Sequence, residues 1–197
     1  FGNPCDIEAI ELIAKKHNLK IIYDAAHCFG TTYKGKSVFE YGDVSTCSFH
    51  ATKLYHTVEG GAVFTKDSRV LKTMALMRNF GHSGPESFNG VGINGKNSEF
   101  HAAMGVVNLN HVEAIISKRK EQSLIYNDLL KGLKVKTQKL ISANEYNYAY
   151  YPIVFETEEI ALKMKSLLEK SEIFPRRYFY PSLSSLDYTS KENTPIS

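Results

Sequence analysis

The sequence predicts an α/β fold, with a mostly parallel sheet flanked by helices and a small α+β domain at the C-terminal end. The first observation is a helical pattern that passes within a few residues into an apolar strand at 20–23, which is half of a βαβ unit. The second is a pair of short apolar runs at 44–49 and 62–65. The third is a change of pattern after Leu133, where we place a domain boundary.

The first helix is predicted to begin after Asp6, a residue that suits an N-cap, and to stop near Asn18. Its apolar residues recur at helical spacing, at Ile7, Ile10, Ile13 and Ala14. The strand Lys20–Tyr23 follows at once and ends in Asp24. An acid at the carboxyl end of a buried strand stands where open α/β sheets place their ligand-binding and catalytic residues.

The stretch Ser45–Thr65 is the centre of the chain, and Lys53 is its central residue. Two apolar strands enclose a loop that carries Lys53 and a Glu-Gly-Gly break at 59–61. In a partly desolvated pocket a lysine loses preference for its charged form and becomes a nucleophile able to form a Schiff base. The alternative is that Lys53 is an exposed loop lysine.

The remaining chain divides into helices, a loop and one strand. The loop at 80–95 is rich in glycine and is either functional or mobile. The predicted elements are a helix from Ser68, one long helix from Ser98 toward Gly132, a strand over Tyr148–Phe155 and a helix over Glu158–Lys170.

The composition is that of an ordinary globular protein of 197 residues, with 24 basic and 21 acidic residues and a net charge of +3. No basic cluster interleaved with aromatic residues favours nucleic acid, and no apolar run reaches membrane-spanning length. The cysteines, Cys5, Cys28 and Cys47, form neither metal spacing nor a disulfide framework. We therefore expect a cytoplasmic protein with no metal site, no membrane association and no nucleic acid partner.

Four residues supply the groups that an enzyme using pyridoxal 5'-phosphate (PLP) requires. The cofactor needs a carboxylate for its pyridine nitrogen, a side chain near the ring hydroxyl, a hydroxyl for the phosphate and a lysine for the aldehyde. In sequence order these groups are Asp24, His27, Ser48 and Lys53.

The residues from Asp24 to Asp67 resemble the signature region of the DegT/DnrJ/EryC1/StrS aminotransferases, and the likeness continues through 78–82 and 92–103. This resemblance implies a fold-type-I PLP enzyme that aminates keto sugars carried on nucleotides. It also implies a large PLP-binding domain over 1–132, including the long connecting helix, and part of a small domain over 133–197. By comparison with the family we expect a fragment that lacks the N-terminal part and the extreme C-terminus.

The resemblance assigns a role to each matching residue. Lys53 matches the catalytic lysine that holds the cofactor, and Asp24 matches the acid paired with the pyridine nitrogen. His27 matches a residue beside the cofactor ring, and Ser48 matches the serine that binds the phosphate. The alternatives are a turn acid for Asp24, a core histidine for His27 and a buried serine bonded to backbone for Ser48. Asn94 matches an asparagine that reaches the phosphate of the other subunit, which implies a homodimer with the active site at the interface; a glycine-rich turn also uses Asn for its backbone alone.

Substrate contacts are the least defined part of the prediction. The resemblance suggests His50, Tyr55, Arg177 and Tyr180. The run at 176–183 is similar to the branch that makes 4-amino-4,6-dideoxy sugars on dTDP, although Ser182 stands where many members carry histidine. The arginine at 177, with its neighbour, either binds a diphosphate or is an exposed basic residue.

The implied reaction is transfer of an amino group from glutamate to a nucleotide-linked, dTDP-type 4-keto-6-deoxy sugar, in a pathway of polysaccharide biosynthesis such as that of O-antigen. One alternative is a PLP-dependent sugar dehydratase of the same family, but those members carry histidine at the position of Lys53. The other is a non-catalytic scaffold or regulatory homologue. The resemblance leaves open whether the fragment alone is active.

Overall fold

The computed structural model describes residues 1–141 and 144–190. The helices are α1 Ile7–His17, α2 Ser68–Arg78, α3 Glu99–Leu109, α4 Val112–Leu129 and α5 Glu158–Lys170. The strands are β1 Ile22–Asp24, β2 Thr32–Tyr33, β3 Lys36–Ser37, β4 Val44–Ser48, β5 Gly61–Thr65, β6 His82–Gly84, β7 Ser87–Phe88, β8 Val135–Thr137, β9 Asn144–Glu145 and β10 Ile153–Phe155. No described helix has the length and apolar character needed to cross a lipid bilayer.

A three-stranded sheet with the order β1-β4-β5 carries the residues of interest. β1 and β4 run parallel, with Asp24 opposite Thr46. β4 and β5 run antiparallel, with Ser48 opposite Gly61. The sheet therefore contains one parallel and one antiparallel pair, and the carboxyl ends of β1 and β4 lie at the same edge.

Helix α1 forms as its sequence pattern predicts. The Asp6 carboxylate accepts a hydrogen bond from the Ala9 amide at 3.0 Å, and Asn18 ends the helix in the left-handed conformation at φ 52°. Ile7 and Ala14 are its buried residues. Ile7 packs in a core cluster with residues that follow β1 and with strand β2, namely Ala25, Cys28, Tyr33 and Val38.

The single long helix predicted from Ser98 is two helices, α3 and α4. The break falls at Asn110 and His111, whose amides donate to carbonyls three residues back rather than four. The Asn108 side chain donates to the carbonyl of His56 at 2.8 Å, so the end of α3 is bound to the loop that carries Lys53. Apolar periodicity continues through the break, which is why the sequence pattern does not reveal it.

The strand predicted over Tyr148–Phe155 is shorter than expected, since only Ile153–Phe155 is a strand. Tyr148 has a φ of 54°, and a side chain in this left-handed conformation cannot continue an extended strand. The neighbouring Asn147 is fully buried and hydrogen-bonded through its side chain instead. Side-chain bonds have replaced ladder bonds over this segment.

The chain divides into two compact units. The first contains Phe1–Leu133 together with Thr137–Ile153, and the second contains Lys134–Lys136 together with the chain from Val154 onward. The sequence places the boundary after residue 132, so the two divisions differ at Leu133 and over 137–153. That segment joins the first unit because Asn147 and Tyr146 hydrogen-bond to residues near the start of the chain.

Candidate active site

Asp24 lies at the carboxyl edge of the sheet. It is the last residue of β1, is exposed, and accepts a hydrogen bond from the Ala26 amide at 3.1 Å. That bond is a local turn contact, which fixes the carboxylate just beyond the strand. Ser48, the last residue of the neighbouring parallel strand β4, ends at the same edge.

Lys53 lies in the loop that follows β4. Its amide donates to the carbonyl of His50 at 2.9 Å, and the hydroxyl of Ser48 accepts from the His50 amide at 3.3 Å. The loop is closed at its base because the Phe49 amide donates to Gly60 at 2.8 Å. Lys53 is half-buried, so it is not the fully exposed loop lysine of the alternative reading.

His27 is half-buried, and its environment keeps the imidazole neutral. The pKa of His27 is lowered to about 4, chiefly by burial and then by the positive charge of Lys53, while the Asp24 carboxylate opposes them. Lys53 and Asp24 are thus two of the charges that act on His27, and the cofactor roles of the three residues stay predictions.

Tyr55 lies beneath the loop in an aromatic cluster. Its ring stacks on Phe29 with centroids 4.3 Å apart and meets the edge of Phe49 at 5.0 Å. Tyr55 is only 8% exposed, and burial raises the pKa of its hydroxyl. The structure gives Tyr55 a packing role that supports the loop, and its substrate contact stays a prediction.

His50 is exposed at the rim of the same loop. Its Nδ1 accepts from the Thr52 amide at 3.2 Å, and Nε2 lies 3.5 Å from the Glu59 carboxylate. Because Nδ1 accepts a backbone hydrogen bond, the ring proton of the neutral form belongs on Nε2, facing Glu59. The side chain is thus oriented by Thr52 and Glu59, and its contact with a substrate stays a prediction.

The described contacts of Asn94 are with Asn79 and Lys96 and not with the predicted cofactor residues. It pairs with Asn79 in an isolated bridge, and its Oδ1 accepts from Lys96 Nζ at 3.0 Å. The residue is exposed, and so are its neighbours Ile93 at 69% and Val91 at 89%. Its predicted role toward a second subunit stays a prediction.

Arg177 and Tyr180 belong to the second unit. The Arg177 guanidinium donates to Glu158 at 2.6 Å and lies 3.4 Å from the centre of the Tyr180 ring. An acidic partner and an aromatic face therefore already occupy this arginine, and an incoming phosphate would have to compete with Glu158. The substrate roles of both residues stay predictions.

Sequence reasoning missed two residues that contact His27. Asn147 donates to the carbonyl of His27 at 2.8 Å, and the Tyr150 ring lies 4.6 Å from the imidazole. No local pattern could have revealed them, because their partners lie about 120 positions away in the chain. The only signal was the density of tyrosines around Asn147.

The chain belongs to the DegT/DnrJ/EryC1/StrS aminotransferase family, which it matches over residues 1–196. It is 40% identical over 185 residues to a dTDP-4-amino-4,6-dideoxy-D-glucose transaminase from Shigella dysenteriae, covering 92% of this chain and 50% of that protein. It is 36% identical over 209 residues to a transaminase of the same name from Escherichia coli, covering all of this chain and 56% of that protein. The chain therefore spans about half the length of these curated relatives.

The fold is also that of solved relatives. The crystal structure of DesI in the presence of its TDP-sugar product matches with a TM-score of 0.86 at 28% identity, covering 98% of this chain and 50% of that one. This likeness confirms the predicted α/β class and the resemblance to fold-type-I enzymes. The family consists of enzymes, and its aminotransferases depend on PLP.

The residues of this chain fit that cofactor. A pyridine nitrogen is kept protonated by a carboxylate, and Asp24 supplies one at the sheet edge. A ring hydroxyl suits a neutral imidazole neighbour, and the low pKa keeps His27 in that form. The half-buried Lys53 completes the set.

Proposed function

We propose that this chain is the Lys53-bearing part of an aminotransferase that moves an amino group from glutamate to a nucleotide-linked 4-keto-6-deoxy sugar, with dTDP as the nucleotide. The observation that carries the proposal is that the neighbouring parallel strands β1 and β4 end at one edge of the sheet in Asp24 and Ser48, with His27 and Lys53 in the loops that follow them. The identity of 40% and 36% to two dTDP-4-amino-4,6-dideoxy-D-glucose transaminases supports the choice of sugar and nucleotide.

Each residue then has a separate task. When bound, the cofactor supplies the electron sink for the substrate carbon that loses its proton. Lys53 binds the cofactor aldehyde and afterwards holds and moves the proton at that carbon. Asp24 keeps the ring nitrogen protonated, Ser48 hydrogen-bonds the phosphate, and His27 orients the ring through its hydroxyl.

We further propose that two copies of the chain form a homodimer and that Asn94 of each copy reaches the active site of the other. Asn94 lies on a surface where large apolar side chains are exposed, including Val91, Ile93 and Phe100 at 69–89%. Apolar area of this kind in a polar environment is typical of a surface that binds a protein partner.

We also propose a cytoplasmic location. The free, buried thiols of Cys28 and Cys47 support it, because free thiols persist in a reducing compartment.

The proposed reaction is tested by incubating the protein with PLP, glutamate and dTDP-4-keto-6-deoxyglucose, and by following the nucleotide sugar by mass spectrometry. We expect replacement of the keto oxygen by an amino group, with ping-pong kinetics because both half-reactions use one site. The GDP-linked keto sugar is the matched control and should react more slowly. Loss of water from the sugar without amination would indicate the dehydratase, and no turnover with any keto sugar would favour the scaffold.

The donor is tested in the same assay by replacing glutamate with alanine or aspartate. We expect glutamate to support amination and the others to support it poorly. Equal rates with all three amino acids would contradict the proposed donor.

The proposed dimer is tested by the oligomeric state at the concentration of the assay. A protein that is monomeric and active there would contradict the interface role of Asn94.

A further inference from the structure

The segment after α4 contains one buried amide that makes three hydrogen bonds. Asn147 has no exposed surface, and its Nδ2 donates to the carbonyls of His27 and Phe29, each at 2.8 Å. Its Oδ1 accepts from the Ala149 amide at 3.1 Å. The side chain therefore fixes the backbone on both sides of Cys28, in the loop that carries His27 beyond β1.

The same segment also contacts the His27 ring. The Tyr150 ring lies 4.6 Å from the imidazole at an interplanar angle of 36°, and the Phe1 ring lies 6.1 Å away on the same cluster. The left-handed Tyr148, at φ 54°, turns the chain between Asn147 and Tyr150. This turn lets one short segment hold both the backbone and the ring of His27.

We infer that Asn147 and Tyr150 are positioning residues for His27, with Asn147 fixing the loop backbone and Tyr150 fixing the plane of the imidazole. This inference rests on the proposed function, in which His27 orients the ring of PLP. A side chain held from two directions is preorganised, so that binding costs less conformational freedom. In this role Asn147 and Tyr150 act only through His27, and neither is proposed to contact the substrate.

A purely structural role would stabilise the fold without affecting the imidazole, so the readout is the protonation of His27 itself. Its neutrality depends first on burial, and Tyr150 and Phe1 supply ring contacts that shield it. The charged side chains that act on it are Lys53 and Asp24. Loosening the loop or removing the Tyr150 ring should admit water and raise the pKa of His27.

The test uses three variants of the chain, namely Asn147→Leu, Tyr150→Leu and the control Tyr151→Phe. The control removes the hydrogen bond from Tyr151 to Asn127, at 2.7 Å, from the same segment without touching His27. The His27 pKa is measured by NMR titration of the cofactor-free protein, and the PLP dissociation constant by absorption titration. Thermal melting shows that each variant is folded.

We expect the pKa of His27 to rise in both leucine variants from about 4 toward its ordinary value. PLP should bind about tenfold more weakly, the effect of losing about one well-formed hydrogen bond. Tyr151→Phe should change neither quantity. A folded Asn147→Leu protein with an unshifted His27 pKa would overturn the inference for Asn147.

If Asn147→Leu does not fold, Tyr150→Leu decides the matter, because it leaves the amide bonds in place. An unshifted pKa in that variant would overturn the role of Tyr150. Failure of the proposed function is distinguishable from failure of this inference. A wild-type protein that does not bind PLP contradicts the former, while the His27 titration in cofactor-free protein still tests the latter.

Discussion

Gly105 on α3 is the place where a single methyl group should disturb the Lys53 loop. A Cβ at this position would lie 2.7 Å from the hydroxyl oxygen of Tyr55 and 2.8 Å from Cγ2 of Thr57. Both neighbours are buried, at 8% and 4% exposure, so neither can swing aside into solvent. Gly105→Ala must therefore displace α3 or the loop.

Two opposing effects set the magnitude. Alanine in a helix interior is favoured over glycine by about 1 kcal/mol. Overpacking a filled core costs about 1–3 kcal/mol, and two contacts under 3.0 Å place this site toward the upper end. We expect Gly105→Ala to lower the free energy of unfolding by about 2 kcal/mol, which is the overpacking cost less the propensity gain.

The assay is urea denaturation, in which the midpoint should fall while the dependence of the unfolding free energy on urea concentration stays unchanged. The control variant is Ala103→Gly. Ala103 is exposed on the same helix, so this control measures the propensity effect alone. The double variant Gly105→Ala with Tyr55→Phe removes the hydroxyl oxygen of the closer contact and should recover part of the loss. A Gly105→Ala protein more stable than wild type would refute the packing of α3 against the loop.

Three further perturbations separate fold from site. The Arg69 side chain and the Arg69 and Val70 amides hold the pKa of Asp67 at about 2, below its ordinary value, so this cap stabilises α2 above about pH 4 and the benefit is lost as pH falls toward 2. The difference in melting temperature between wild type and Asp67→Ala should therefore shrink across that range, and a constant difference would contradict the assignment. Ser45→Ala removes a buried hydroxyl bonded to the Phe39 carbonyl and should cost about 1–3 kcal/mol of stability without changing PLP affinity. Ser48→Ala should weaken PLP binding at little cost in stability, and the reverse pattern would mean that the two serines exchange roles.

The helices that the sequence predicts well are those whose ends are encoded locally. Asp6, Asp67 and Thr157 each cap the helix that follows, with a side-chain oxygen accepting from an amide two or three residues ahead. The positions of Asp24 and Ser48 at strand ends were predictable for the same reason, since strand ends are also local features, and the cofactor roles of Asp24, His27, Ser48 and Lys53 stay predictions.

The features that could not be predicted depend on distant partners. The break between α3 and α4 is accompanied by a bond from Asn108 to His56, 52 positions away, while the apolar pattern runs on. The strand expected at Tyr148 is replaced by the turn around Asn147, whose bonding partners are the carbonyls of His27 and Phe29. A tyrosine-rich run has a high propensity for strand, but here tertiary hydrogen bonds hold the segment in a turn.

The most direct test of the central claim is the absorption spectrum of the chain with PLP, recorded for wild type and Lys53→Ala before and after glutamate is added. We predict a visible band in the wild-type protein that glutamate bleaches, and no such band in Lys53→Ala. An Asn127→Ala protein, altered at an exposed position of α4, is the control and should behave as wild type. A Lys53→Ala protein with the wild-type band and the wild-type response to glutamate would contradict the account.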